Sequence, residues 1–218
     1  LHECAHGLTC WHFGGRAKEI GLLWRFPLLA PYCNVDDVVV LGRRQRVATA
    51  FAGVFVSMLA LTPFAVLWVL TERGMLHNLA GTILIFGTVT AAINLVPFLR
   101  LDGYYMLTHA LNLVDLRGDT YRFWRQLLRD GPSSVAGYLR RDRIAYGLYG
   151  LASVVFGVAV VTLLVRLWYS SLRIWVGPVW AVSILSAEGV LVMLLVWYGV
   201  RRAKRKRGEA ASGSVAPA

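Results

Sequence analysis

Four long apolar stretches constrain this chain more than any other feature of its sequence. They run approximately over residues 48–70, 76–98, 144–165 and 174–200. Each is long enough to cross a bilayer, which takes about 20 apolar residues in a helix. Only helices and closed barrels satisfy their backbone hydrogen bonds in lipid, and continuous apolar runs of this length are typical of helices. The sequence therefore predicts an all-α, polytopic membrane protein with about four complete transmembrane helices.

The composition agrees with this class of protein. Hydrophobic residues make up 57% of the chain and charged residues 16%, which does not suit a soluble domain. Lys and Arg number 23 against 12 Asp and Glu, and the excess lies in three blocks beside the apolar stretches, at residues 16–46, 100–143 and 201–207. Membrane proteins mark their cytoplasmic side in this way. We therefore expect the blocks to be cytoplasmic, and we expect no nucleic-acid partner.

The same pattern divides the chain into four regions. Residues 1–115 form the expected membrane core, and residues 116–143 form a basic cytoplasmic loop that is either a short helix on the membrane surface or a solvated connector. Residues 144–200 are predicted to form a transmembrane hairpin with a short link at Ser170 and Ser171. Residues 201–218 form a basic cytoplasmic tail, whose composition indicates disorder.

An HExxH motif occupies residues 2–6. Residues four apart lie on one face of a helix, so His2 and His6 can bind one metal ion from adjacent turns. Glu3 lies beside them and can take a proton from a zinc-bound water and later give it to a leaving amine. The plainer interpretation is a pair of unrelated buried histidines.

A zinc hydrolase also needs a third protein ligand. The strongest candidate is Asp102, in the segment NLVPFLRLDG at residues 94–103. Pro97 interrupts the helix there, and Gly103 permits close approach of another backbone segment. Taken alone this is an ordinary helix end, but the distribution of arginines places it on the same membrane face as the HExxH helix. Reserve ligands are Glu19, Asp36 and Asp37.

HECAHG followed by NLVPFLRLDG resembles the site-2 protease family of intramembrane zinc metalloproteases. Residues 14–37 further resemble the bacterial branch of peptide zinc metalloproteases, some members of which are associated with modified-peptide maturation or export. The resemblance covers about residues 1–115. Two features depart from the family pattern. Gly53 is not followed by the Pro-x-x-Asn that the family often shows, and the hydrophobic residues expected before His2 are missing, so we expect the sequence to be truncated at its N-terminus.

The resemblance implies a set of roles. It makes His2, His6 and Asp102 the ligands of Zn²⁺, Glu3 the catalytic base, and Asn94 the residue that holds the substrate backbone or steadies the oxyanion. It also implies a membrane-embedded protein or peptide substrate, partners in peptide export or maturation, and a bacterial cell membrane with the active site near its cytoplasmic face.

Two functions follow from these expectations. The leading hypothesis is a zinc-dependent intramembrane endopeptidase that cleaves in or near the membrane segment of a protein or leader peptide. The alternative is a non-catalytic membrane component that binds or escorts a peptide for export. Glu188 lies mid-span, where ionisation is costly, so it is either functional or simply protonated or paired inside the bundle. We expect the remaining histidines, His12, His77 and His109, to be interfacial or core residues.

Overall fold

The computed structural model describes residues 1–17, 19–25 and 28–213 of the chain. In this part, helices dominate. They are α1 (His2–His12), α2 (Arg43–Leu70), α3 (Met75–Asn94), α4 (Asp102–Leu111), α5 (Leu116–Asp130), α6 (Arg140–Val176) and α7 (Pro178–Gly213). Short 3-10 turns cover Asp36–Val40 and Pro132–Val135. The prediction of an all-α chain is confirmed.

The four apolar stretches correspond to α2, α3, α6 and the part of α7 up to Gly199. Each of these helices is long and apolar enough to cross a membrane, with a mean hydropathy of 1.5 to 2.4 over 18 of its residues. The chain is therefore an integral membrane protein of four candidate spans, with α1 as a separate helix that carries the HExxH motif.

One region contains strands, which the sequence analysis does not predict. β1 (Glu19–Arg25) and β2 (Leu28–Asn34) form an antiparallel hairpin, with Glu19 opposite Asn34 and Arg25 opposite Leu28. The hairpin packs on α1. Its strands are only seven residues long, and an isolated hairpin of this size is marginal in water, so its packing on α1 contributes to its stability.

Two expectations about the C-terminal region are wrong. Ser170 and Ser171 lie inside α6, and the chain turns instead at Gly177, whose φ of 84° suits glycine. Residues 201–213 continue α7 rather than being disordered. Arg, Lys, Ala and Glu are good helix formers, and extending an existing helix needs no new nucleus. Residues 214–218 lie outside the described part.

The chain divides into two compact units, Leu1–Ser153 and Val154–Ala218. In the first unit, a core of aromatic and aliphatic side chains joins α4, α5 and the start of α6. Its buried members are Tyr104, Leu116, Phe123, Val135, Tyr146 and Tyr149. In the second unit, the indole Nε1 of Trp168 donates to Glu188 Oε2 across 3.0 Å, so Glu188 has a partner on the neighbouring helix.

Candidate metal centre

The HExxH motif lies on α1, as predicted, and its two imidazoles point to one place. The Nε2 atoms of His2 and His6 are 3.2 Å apart and the ring centroids 4.9 Å apart. His6 is buried and His2 is half-buried. This pairing follows from the four-residue spacing, which puts both side chains on one face of the helix.

Asp102 completes the group from the first turn of α4. Its Oδ2 lies 3.0 Å from His2 Nε2, and its Oδ1 lies 3.4 Å from His6 Nε2. Gly103 makes this position accessible, because a β-carbon there would overlap the backbone carbonyl of Leu95. The Asp-Gly pair therefore lets the start of α4 lie directly on the chain that leaves α3, and this close approach fixes where the carboxylate points.

A stripe of small residues on α2 receives the two histidines. A β-carbon at Gly53 would overlap His6 Nε2 and come within 2.7 Å of two ring atoms of His2. One turn before it, the Thr49 carbonyl accepts a 2.7 Å hydrogen bond from His6 Nδ1. One turn after it, Ser57 Oγ lies 2.9 Å from His2 Nδ1. The three residues are spaced by four, so they share one face of α2.

These hydrogen bonds determine which nitrogen of His6 is available to a ligand. A carbonyl oxygen can only accept, so His6 Nδ1 carries the proton and Nε2 of the neutral ring presents its lone pair. A backbone carbonyl is a common partner for the outer nitrogen of a metal-binding histidine. Ser57 can fix the ring of His2 in the same way. With His2 in the same tautomer, two lone pairs and a carboxylate face one another, an arrangement that a cation relieves.

The donor geometry fits a zinc ion. Nε2 of His2, Nε2 of His6 and a carboxylate oxygen of Asp102 all lie within 4.8 Å of one another. Tetrahedral zinc with bonds of about 2.0–2.1 Å separates its ligand atoms by about 3.3–3.4 Å, close to the 3.2 Å between the two imidazole nitrogens. The contacts of Asp102, 3.0 Å to His2 and 3.4 Å to His6, are made by different carboxylate oxygens. Asp102 Oδ2 is also buried without a hydrogen-bond partner in the described structure. Two imidazoles and a carboxylate are a common donor set for catalytic zinc.

The electrostatics of the site also favour a cation. Burial by itself raises the pKa of Asp102, but the two imidazoles beside it, those of His2 and His6, outweigh it and lower the pKa to about 2. Burial lowers the pKa of His6, but Asp102, the Thr49 carbonyl and Glu3 outweigh it and raise the pKa above its usual value. The carboxylate is therefore ionised at neutral pH, and the pocket stabilises positive charge at His6.

A cavity of about 600 Å³ adjoins two of the three candidate ligands, His6 and Asp102. The half-buried Glu3 also lies on its wall and therefore borders the same space as these two residues. The remaining wall comes from the hairpin, the first 3-10 turn, α2, α4 and the segment after α4. It includes Tyr32, Cys33, Asn34, Val35, Val38, Val39, Thr49, Ala50, Tyr105, Thr108, His109 and Val114.

The other predicted residues are not part of this group. Asn94 is the half-buried last residue of α3, and it does not line the cavity. Among the described residues, the group of His, Cys, Asp and Glu donors able to hold a metal does not include Glu19 or Asp37. Glu19 instead accepts a hydrogen bond from Tyr32. The side chain of Asp36 lies outside the described residues.

Sequence reasoning also missed Thr49 and Ser57 as parts of the site, and it named Gly53 only for its departure from the family pattern. Their signal was a run of small residues at four-residue spacing within an apolar span, which commonly marks a helix-packing surface. At 1.5 Å per residue, they lie about 9, 15 and 21 Å from the start of α2, a helix about 42 Å long. The candidate site is thus beside the body of a candidate span, well inside its end.

Comparison with known proteins adds no identification, because no family model, curated protein or solved structure matches the chain.

Proposed function

We propose that this protein is a zinc-dependent intramembrane endopeptidase, which hydrolyses a peptide bond in or near the membrane segment of a protein or leader peptide. The observation that carries the proposal is the convergence of His2, His6 and Asp102 to within 3.0 to 3.4 Å, beside a cavity that also receives Glu3. Motifs almost 100 residues apart meet there with the donor set and spacing of a zinc site.

In this proposal His2, His6 and Asp102 hold the zinc. When bound, zinc lowers the pKa of water and polarises a carbonyl group. Glu3 accepts a proton in the cavity and returns it to the leaving amine. Thr49 and Ser57 orient the two imidazoles through their Nδ1 atoms. The cavity accommodates the substrate backbone, and the placement of the site along α2 favours a substrate that lies within the bilayer.

The arginine distribution supports a cytoplasmic location for this end of the bundle. The candidate site lies past the C-terminal end of α3 and against the N-terminal half of α2. Both of these helix ends adjoin basic blocks of the sequence. We therefore propose a cell-membrane protease, of the kind found in bacterial peptide maturation or export, that acts from the cytoplasmic side.

One observation favours the alternative, a non-catalytic component that binds or escorts a peptide for export. Asn94, which the family resemblance makes a substrate or oxyanion contact, does not line the cavity. An escort needs the cavity but neither the metal nor the proton acceptor, so the two functions differ in their dependence on His6, Asp102 and Glu3.

Metal content is the first test. The chain purified in detergent should hold about one zinc ion, and His6→Ala and Asp102→Ala should each lose it. His12→Ala is the matched control, because His12 lies on the same helix but is exposed and outside the candidate group. If the unmodified protein binds no zinc, or if both variants keep it, the shared metal site is wrong.

Cleavage of membrane-segment reporter peptides is the second test. Glu3→Gln should keep the zinc and reduce turnover by at least about 100-fold, since loss of a general acid–base group typically costs that much. Glu72→Gln, an exposed change between α2 and α3, should leave turnover unchanged. A protein that binds the peptides equally well with or without His6, and cleaves none of them, would support the escort function instead.

A further inference from the structure

Helix α5 has two faces with different environments. Leu116, Thr120 and Phe123 are buried against the core of the first unit. On the opposite side Arg122, Arg125 and Arg129 are exposed, at three-residue and four-residue spacing. They line a shallow groove of about 320 Å³ together with Gln126 and Asp130. The core packing accounts for the first face and leaves the arginine face without a role.

The charge on this face is only partly neutralised. Arg122 forms an ion pair with Asp119 at 2.7 Å. In the described part of the chain, neither Arg125 nor Arg129 has an acidic partner. A guanidinium group is a planar, permanently charged fork of donors that matches the oxygens of a phosphate. Two such groups one turn apart are suited to phosphate.

Two large apolar side chains lie next to the arginines. Tyr121 is 68% exposed and Leu128 79% exposed. At 100° per residue, they fall between the buried face and the arginine face of α5. Such side chains are unfavourable in water but suit the headgroup and acyl boundary of a bilayer, where neighbouring arginines reach the headgroups.

The position of α5 places this face beside a candidate span. The indole Nε1 of Trp124 donates to the Tyr146 carbonyl across 3.2 Å. A β-carbon at Gly150 would overlap the same indole. Tyr146 and Gly150 lie in the second and third turns of α6, near the start of its apolar run. Helix α5, which carries the arginines, therefore packs on the first turns of a candidate span.

We propose that the outer face of α5 binds the headgroups of anionic phospholipids through Arg125 and Arg129, with Tyr121 and Leu128 inserted at the bilayer boundary. A lipid is favoured over a soluble phosphate compound because the arginines are flanked by exposed apolar side chains and lie beside a membrane span. This inference does not depend on the metal centre or on the proposed protease activity.

The test is a lipid titration of the full chain in detergent, followed by native mass spectrometry. Phosphatidylglycerol should be retained in preference to phosphatidylcholine with the same acyl chains. The double variant Arg125→Gln/Arg129→Gln should reduce that preference by about fivefold for each arginine removed, the usual contribution of a basic residue at an anionic surface. Arg43→Gln/Arg44→Gln removes the same charge from the exposed start of α2 and should leave the preference unchanged.

Three outcomes would overturn the proposal. One is equal retention of the two lipids, and the second is an equal loss in the α2 control, which would mean that only net charge matters. The third is complete displacement of phosphatidylglycerol by millimolar inorganic phosphate, which would make this a site for free phosphate.

Arg125→Lys/Arg129→Lys keeps the charge but not the planar fork of donors, so this variant should retain part of the preference for phosphatidylglycerol. Unchanged thermal unfolding in all variants shows that any loss is local.

Discussion

Gly53 lies directly against the imidazole of His6, so closely that the position of a β-carbon at Gly53 is already occupied by His6 Nε2. The two helices that carry these residues can pack at this distance only because position 53 has no side chain. The glycine is thus part of the candidate metal site although it offers no ligand atom, and this packing explains its place in the apolar sequence of α2.

Gly53→Ala should therefore separate α1 from α2 or rotate both imidazoles. We expect the affinity for zinc to fall by at least about tenfold, since second-layer changes at metal sites commonly cost about 10-fold to 100-fold. Zinc affinity can be measured by competition with a chromogenic chelator. Gly147→Ala is a suitable control, because a β-carbon at Gly147 meets open space. Equal affinity in the two variants would show that α1 does not pack at Gly53.

Ser57 provides a second test of how the histidines are oriented. Its Oγ is 2.9 Å from His2 Nδ1, and loss of the hydroxyl should free the ring to rotate. Ser57→Ala should weaken zinc binding by about 10-fold to 100-fold, and Ser57→Thr, which keeps a hydroxyl, should restore most of it. The absorption spectrum of the cobalt-substituted protein should shift in the alanine variant alone. Ser153→Ala serves as a control, because that hydroxyl donates a hydrogen bond to the Tyr149 carbonyl of its own helix.

Gly103 sets the direction of Asp102. Because a β-carbon at Gly103 would collide with the backbone of Leu95, Gly103→Ala must displace the start of α4. Overpacking of this kind costs about 1–3 kcal/mol of unfolding free energy, and here it also moves a candidate ligand. We expect a lower midpoint of thermal unfolding and loss of zinc. Gly137→Ala, at a site with no neighbour within 4 Å, should show neither effect. A variant that keeps both properties would mean that α4 does not begin on Leu95.

The sequence was sufficient to predict the spans and the candidate ligands. Runs of about twenty apolar residues need no tertiary information, because the bilayer requires a helix whatever its neighbours. The meeting of His2, His6 and Asp102 was predicted from two observations. The four-residue spacing puts His2 and His6 on one helix face, and the distribution of arginines puts both motifs on one side of the membrane. The observed α2 begins at Arg43, slightly before its apolar run. At this start of the helix, Gln45 Oε1 accepts a hydrogen bond from the Gly42 amide.

Other features depend on contacts between elements that are distant in the sequence. The hairpin of β1 and β2 is short, and its packing on α1 is non-local, so its residues carry little local signal. Thr49 and Ser57 acquire their roles only when α1 lies on α2. Asn94 illustrates the reverse case, since a role implied by motif resemblance is not matched by a place on the cavity wall, and that role stays a prediction.

The packing of the hairpin against α1 can be tested through its cysteine. Cys33 lines the cavity, and a β-carbon at Gly7 of α1 would lie 3.1 Å from its Sγ. Burial, followed by the charge of Glu3 and the neighbouring thiols, raises the pKa of the Cys33 thiol. The thiolate is the reactive form. A raised pKa leaves less thiolate at neutral pH, and the thiolate fraction grows as the pH rises towards that pKa.

N-Ethylmaleimide at pH 7 should therefore label Cys33 at least about tenfold more slowly than the exposed Cys4, with a rate that increases steeply towards pH 9. Peptide mass spectrometry measures both rates in one sample. Rapid labelling of Cys33 at pH 7 would mean that the hairpin does not cover α1, and the cavity would then lose one of its walls.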